Sequence, residues 1–156
     1  MILLAQPQLT EAACRRIADV FLRLRVLFEE ISPLIESYNS EVCPYCEDVC
    51  CKQRHAYYDS EDRLYISVLG LAVPEYSERR LEEPCEFLSF NGCSRPRWQR
   101  PFRCTWYFCE PLLRYMYDGP GRPHRRLVRL LQDIVELRGK LISCCCGETK
   151  IQKLSF

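Results

Sequence analysis

Apolar residues near the start of the chain recur at Ala13, Ile17, Val20, Leu24, Leu27, Ile31, Leu34 and Tyr38, in alternating steps of four and three. That spacing keeps one face of an α-helix apolar over successive turns, in a heptad stripe. It predicts a helix over 11–39, with Thr10 as N-cap and Asn39-Ser40 as the stop. Ser32-Pro33 falls inside the stripe and predicts a kink or a fresh helical start with Ser32 as cap. A breaker run from Asp118 to Pro123 is followed by a second stripe, Leu127, Leu130, Ile134, Leu137 and Leu141. It predicts a helix over 123–146, with Pro123 in the first turn and Gly147 as the C-cap, and with Gly139 weakening the last turns.

The stretch between them, residues 41–121, has little periodicity. Its one sustained apolar run, Leu64 to Val73, reads as a strand. About 80 residues with so little regular structure do not suit a compact domain unless something else orders them. The expected fold is mainly α and a single domain, 1–156. Two long antiparallel helices flank an irregular, metal-organised centre, a cysteine-rich knuckle region. With 156 residues, 47% of them hydrophobic, the chain can bury a core without cross-links.

Twelve cysteines change the picture, since such a load means either disulfides in an oxidising compartment or thiolate ligands in a reducing one. The N-terminus, Met1 to Thr10, has no basic region and only a short apolar run before Gln6-Pro7, so it does not read as a signal peptide. No stretch approaches the roughly 20 apolar residues a bilayer span needs. The expectation is a cytoplasmic protein whose cysteines are ligands. A net charge of +1 argues against general attraction to nucleic acid or to an anionic membrane. Arg95, Arg97, Arg100 and Arg103 do crowd around Trp98 and Trp106, a composition that could stack on single strands. The preferred reading is that Arg100 and Arg103 offset the charge of a thiolate–metal site, with the others in a solvated loop. The expected partner is another protein, or a second copy joined through the heptad faces, and neither a membrane nor nucleic acid.

Eight cysteines fall in the central stretch: Cys43, Cys46, Cys50 and Cys51, then Cys85, Cys93, Cys104 and Cys109. A C-x2-C pair lets two thiolates converge on one metal from a tight turn, and alone it serves zinc, iron–sulfur and redox sites alike. Asn91-Gly92 is a turn signal that would swing Cys93 back towards Cys85. The only histidines, His55 and His124, lie at no finger spacing, which favours sites made of thiolates alone. Adjacent Cys50 and Cys51 are hard to place on one small tetrahedral ion and easier to place on a cluster, for which Tyr45, Phe87, Phe90, Phe102, Trp106 and Phe108 would form a dry shell. The expectation is a [4Fe-4S] cluster in a redox or accessory role, with a structural zinc (Zn2+) interaction module as the alternative. Glu47-Asp48 and Glu82-Glu83 have no spacing of an acid/base pair, and no P-loop or C-x3-C-x2-C order occurs. Cys14 and Cys144-Cys145-Cys146 would share one end of an antiparallel helical pair, which permits a second metal site. They are read as helix residues, outside the central site.

In order, Cys43-x2-Cys46-x3-Cys50-Cys51, Pro84-Cys85-x-Phe87-Leu88, Gly92-Cys93 and Arg100-Pro101-Phe102-Arg103-Cys104 resemble the zinc- or iron-chelating cysteine-rich family of YkgJ type, also called CxxCxxCC. The resemblance covers the middle half of the chain. It implies a metal-binding domain of a kind also found attached to flagellin lysine methylases, so metal-dependent group transfer is a third functional class. The family pattern has two residues before the Cys-Cys pair where this chain has three, which leaves open whether Cys50 or Cys51 is the ligand.

Overall fold

The structure, a computed structural model, describes residues 11–75, 77–119 and 121–146. It is mainly helical: α1 (Glu11–Val42), α2 (Ser60–Val68), the single turn α3 (Arg103–Trp106), α4 (Glu110–Asp118) and α5 (Gly121–Cys146), with one small hairpin, β1 (Leu88–Ser89) and β2 (Gly92–Cys93). Thr10 and Gly147, the expected caps, lie outside the described residues. Among the described residues, no helix is long and apolar enough to cross a membrane.

Both stripes form the core. Ile17, Leu24, Phe28, Ile31, Ile35 and Tyr38 of α1 are buried against Leu127, Leu130, Ile134, Leu137 and Leu141 of α5. Each such side chain contributes about 1.5–3 kcal/mol when removed from water. The heptad faces are therefore used inside the chain. α1 runs unbroken through Pro33 and past the expected stop. Asn39 donates to Glu36 at 3.2 Å and Ser40 to the carbonyl of Ser37 at 3.0 Å, so both satisfy themselves on the helix surface. Pro44, in the next 3-10 turn (Cys43–Tyr45), follows the true end.

The centre holds more regular structure than its periodicity suggests. Leu64 to Val68 belong to α2, not to a strand. Asp59 caps this helix by accepting from the backbone of Asp62, whose side chain accepts in turn from the backbone of Asp59, a reciprocal capping box. Gly70, at φ +68°, lies two residues beyond its end. Tyr65 and Ile66 of α2, and Leu112 and Met116 of α4, are buried in the same core.

One buried polar knot ties these layers together. Asp62 Oδ1 accepts from Arg138 Nη2 at 2.9 Å and from the Phe102 backbone N–H at 3.0 Å, and the Arg138 guanidinium lies 4.4 Å from the centre of the Phe102 ring. A single carboxylate thus joins α2, α5 and the Arg100-Pro101-Phe102-Arg103-Cys104 segment. A second pairing, in which buried Arg97 donates to Glu36, fastens the same segment to α1.

Candidate metal centre

Backbone pairing brings distant cysteines together. Lys52 and Pro84 form an antiparallel bridge, the Cys85 N–H donates to the Cys51 carbonyl at 2.8 Å, and the Gln53 N–H donates to Glu83 at 2.8 Å. Cys51 and Cys85 therefore sit side by side. Buried Gln53 completes the clasp: its Oε1 accepts from the Glu86 backbone at 2.9 Å and its Nε2 donates to the Glu86 carboxylate at 3.0 Å. The β1–β2 hairpin pairs Leu88 with Cys93 across Phe90-Asn91, with Gly92 at φ +98°, so the turn falls where Asn91-Gly92 predicts it. Cys104 is held through its carbonyl, which accepts from Arg97 Nη1 at 3.0 Å, while its thiol approaches the His55 carbonyl at 3.8 Å. Cys109 stands at the N-cap of α4, which packs on α1.

No disulfide joins any cysteine whose side chain is described. Electrostatic coupling among the eight central thiols is densest within two groups, which stay linked through the Cys50–Cys51 thiol hydrogen bond and the charge of Cys43 acting on Cys51. Burial and then the neighbouring Cys50, Cys46 and Cys109 push the Cys43 thiol up to about 11. Cys46 is raised by burial, Cys109 and Cys50, and the Cys50 thiol is within hydrogen-bonding reach of Cys109. Cys104 is pushed up to about 12 by burial and by Cys93 and Cys85, and Cys85 is raised by burial, with Cys93 adding to it. Cys51 is lowered because the Cys50 thiol hydrogen-bonds to it, and it also feels Cys104, Cys43 and Cys85. One set is Cys43, Cys46, Cys50 and Cys109; the other is Cys51, Cys85, Cys93 and Cys104. The sets meet at the Cys50–Cys51 peptide.

The sequence order is thereby crossed over. Cys51 reaches the later cysteines while its thiol stays hydrogen-bonded to Cys50, and Cys109 returns to the earlier ones. The aromatic shell is smaller than expected. Tyr45 is 83% exposed, and Phe90 and Trp106 also face outward, while Phe87, Phe102 and Phe108 are half-buried against the core. The arginines beside the thiols are Arg97 and Arg100, whose charges pull the Cys104 thiol down against its burial. Arg103 is exposed, and its charge acts on His55. His55 stacks on Tyr107 with ring centres 5.6 Å apart and keeps a buried Nδ1 without a hydrogen-bond partner among the described residues.

Gln53 gave no signal in the sequence because its role depends on a partner 33 residues away. Replacing Gln53 with alanine is expected to weaken metal retention by about tenfold or more, as loss of an outer hydrogen bond does at other metal sites. Glutamate at this position is expected to be worse, because it faces the Glu86 carboxylate. Chelator competition against the unaltered protein measures both, and unchanged retention in Gln53→Ala would remove the clasp from the account.

Among the described residues no three His, Cys, Asp or Glu side chains are already gathered closely enough to hold an ion. In proteins that bind a metal through thiols, binding releases the thiol protons and its energy acts as folding energy. Comparison of the chain with protein-family models, with curated proteins and with solved structures finds no match.

Proposed function

We propose that this chain is a cytoplasmic metal-binding protein whose eight central cysteines form two four-thiolate sites, suited best to a pair of structural zinc ions. The observation that carries this reading is the grouping of the thiols into two sets of four, which meet where the Cys50 thiol hydrogen-bonds to Cys51. An all-thiolate donor set is one that zinc, as a borderline-soft ion, accepts in tetrahedral form. The zinc ions would fix the loops between α1 and α5, which run antiparallel and flank this knuckle, as the Glu30–Arg126 contact and the shared Arg23, Leu27, Leu137 and Lys140 groove support. Those loops carry exposed Tyr45 and Phe90, a surface for an unidentified protein partner. The resemblance to the YkgJ-type family agrees with the same role.

A second reading is a [4Fe-4S] cluster in a redox or accessory role. It is favoured by half-buried Phe87, Phe102 and Phe108, which would shelter a cluster on its inner side.

Anaerobic purification followed by metal analysis and a visible spectrum tests both. Colourless protein with about two zinc ions per chain, one for each four-thiol set, supports the first reading. Brown protein with iron and sulfide, bleached by dithionite, replaces it with the second. Chains that hold neither metal under anaerobic conditions overturn both.

The thiols add a pH signature. Burial and neighbouring thiols raise Cys43, Cys46, Cys50, Cys85, Cys104 and Cys109 above the ordinary thiol value. Loading is therefore expected to release several protons per ion, and affinity to rise steeply between mildly acidic and mildly alkaline pH. Calorimetry in buffers of different ionisation enthalpy reads that proton count.

A further inference from the structure

The two thiol sets are held in different ways. Cys51, Cys85 and Cys104 are fixed by bonds that cross the sequence: the Lys52–Pro84 bridge, the Cys85 N–H on the Cys51 carbonyl at 2.8 Å, and Arg97 Nη1 on the Cys104 carbonyl at 3.0 Å. Cys93 is fixed by the β1–β2 hairpin, closed by the Ser94 N–H on the Phe87 carbonyl at 2.8 Å. The bonds of the 43–50 loop are local. The Cys46 N–H donates to the Cys43 carbonyl at 3.2 Å, its thiol to the Val42 carbonyl at 3.6 Å, and the exposed Asp48 carboxylate pairs with Lys52 at 2.8 Å. A loop tied to its own neighbours opens at small cost, whereas the other set opens only with loss of its long-range pairings.

The charges around the sets differ as well. A zinc ion on four thiolates carries two net negative charges, so nearby cations hold it and nearby anions weaken it. Arg97 and Arg100 lie beside Cys104 with side chains 2% and 12% exposed, and their charges favour its thiolate. The Nε atoms of Arg95 and Arg97 are buried without a hydrogen-bond partner among the described residues, two donors of a kind that a thiolate accepts better than a thiol does. Glu36 offsets part of this charge by pairing with Arg97 and Arg100, and Glu86 acts on Cys85. On the other side, beyond burial and the neighbouring thiols, the Glu36 charge acts on Cys43 and the Asp48 charge on Cys46, and both are anions. We propose, on the two-site reading, that the sites are unequal: Cys51, Cys85, Cys93 and Cys104 hold a resident zinc ion, while Cys43, Cys46, Cys50 and Cys109 form an exchangeable site that yields its ion to acceptors bearing thiol or nitrogen ligands. Each Zn–S bond that breaks is replaced by a bond to the acceptor, and the freed thiolates take protons from water.

The test uses the full chain, purified anaerobically and shown by native mass spectrometry to carry about two zinc ions, one for each four-thiol set. It is mixed with an excess of a pyridylazo dye whose colour counts the zinc released. Pulses of iodoacetamide, followed by peptide mass spectrometry, identify the thiols set free, since a metal-bound thiolate is a poor nucleophile. Release is expected in two phases separated by about tenfold or more in rate, the scale on which groups around the ligands act at metal sites. The fast phase is expected to expose Cys43, Cys46 and Cys109 to alkylation while Cys85, Cys93 and Cys104 stay protected. Arg100→Gln is expected to speed the slow phase by about tenfold, with the helical circular dichroism unaltered. Asp48→Asn, at an exposed position, is expected to slow the fast phase by about twofold. Release of two ions in a single phase, or a fast phase that exposes Cys85, Cys93 and Cys104, overturns the inequality and leaves the two sites standing. Protein that never holds a second zinc ion overturns the two-site reading and the inequality together.

Discussion

Replacing Arg138 with leucine is expected to cost about 3–5 kcal/mol, because it leaves the Asp62 carboxylate buried without its counter-charge. Both side chains are almost fully enclosed, at 7% and 6% exposure. At this chain length the loss corresponds to a fall in Tm of about 10 °C. Burial already pushes the Asp62 carboxyl up, opposed by the Phe102 N–H and the Arg138 charge. Without Arg138 the folded pKa rises further above its unfolded value. The neutral carboxyl is then the form the fold tolerates, so stability is retained below the unfolded pKa and lost as pH rises through the folded one. The deficit of Arg138→Leu is thus expected to be larger at pH 7 than at about pH 4. Asp62→Asn combined with Arg138→Leu keeps an acceptor for Phe102 and removes both charges, and is expected to be less destabilised than the sum of the single changes. Glu61 also contacts Arg138, at 2.8 Å, but its side chain is 54% exposed. Its change to glutamine is expected to cost less than about 1 kcal/mol. Denaturant unfolding of the four variants, metal-loaded, decides the matter. A negligible cost for Arg138→Leu, or strict additivity in the double variant, would show that the knot does not couple α2 to α5.

What could be read from the sequence follows from how local each determinant is. The stripes of α1 and α5 are visible because a helix repeats its buried position every turn, and Leu24, Ile31, Ile134 and Leu141 are each buried as their spacing predicts. α1 runs three residues past its predicted end, since Asn39 and Ser40 discourage a helix only when their side chains compete with its backbone. α2 reads as a strand in the sequence because its short apolar run carries no full helical period. The deciding signal was Asp59 with the acidic residues Glu61 and Asp62 behind it. The eight central thiols could be named from spacing and family resemblance, but their division could not. It depends on the Lys52–Pro84 bridge, which carries Cys51 to Cys85, and on α4 packing against α1, which returns Cys109 to Cys43. Long-range pairing of this kind leaves no periodic trace.

That division yields the largest expected effect. Cys50→Ser and Cys51→Ser alter neighbouring residues, yet each is expected to empty a different site. Cys50→Ser should lose the metal held with Cys43, Cys46 and Cys109, and Cys51→Ser the metal held with Cys85, Cys93 and Cys104. Each variant is expected to keep about half the metal of the parent chain, and Cys50→Ser/Cys51→Ser almost none. A structural zinc contributes about 10–16 kcal/mol of apparent binding energy, as much as the whole stability of an ordinary domain. Loss of one site should therefore release its loops to proteolysis, and loss of both should leave folded only what α1 and α5 hold through their own core. Cleavage is expected between 84 and 104 in Cys51→Ser and between 43 and 50 in Cys50→Ser, whereas a single centre shared by all eight thiols gives the same fragments from either. Metal analysis of the three variants beside Cys104→Ser and Cys109→Ser separates these cases. Cys104→Ser must match Cys51→Ser, and Cys109→Ser must match Cys50→Ser. If either single change strips all the metal, the thiols form one centre, and the crossing of Cys51 and Cys109 carries no chemical meaning.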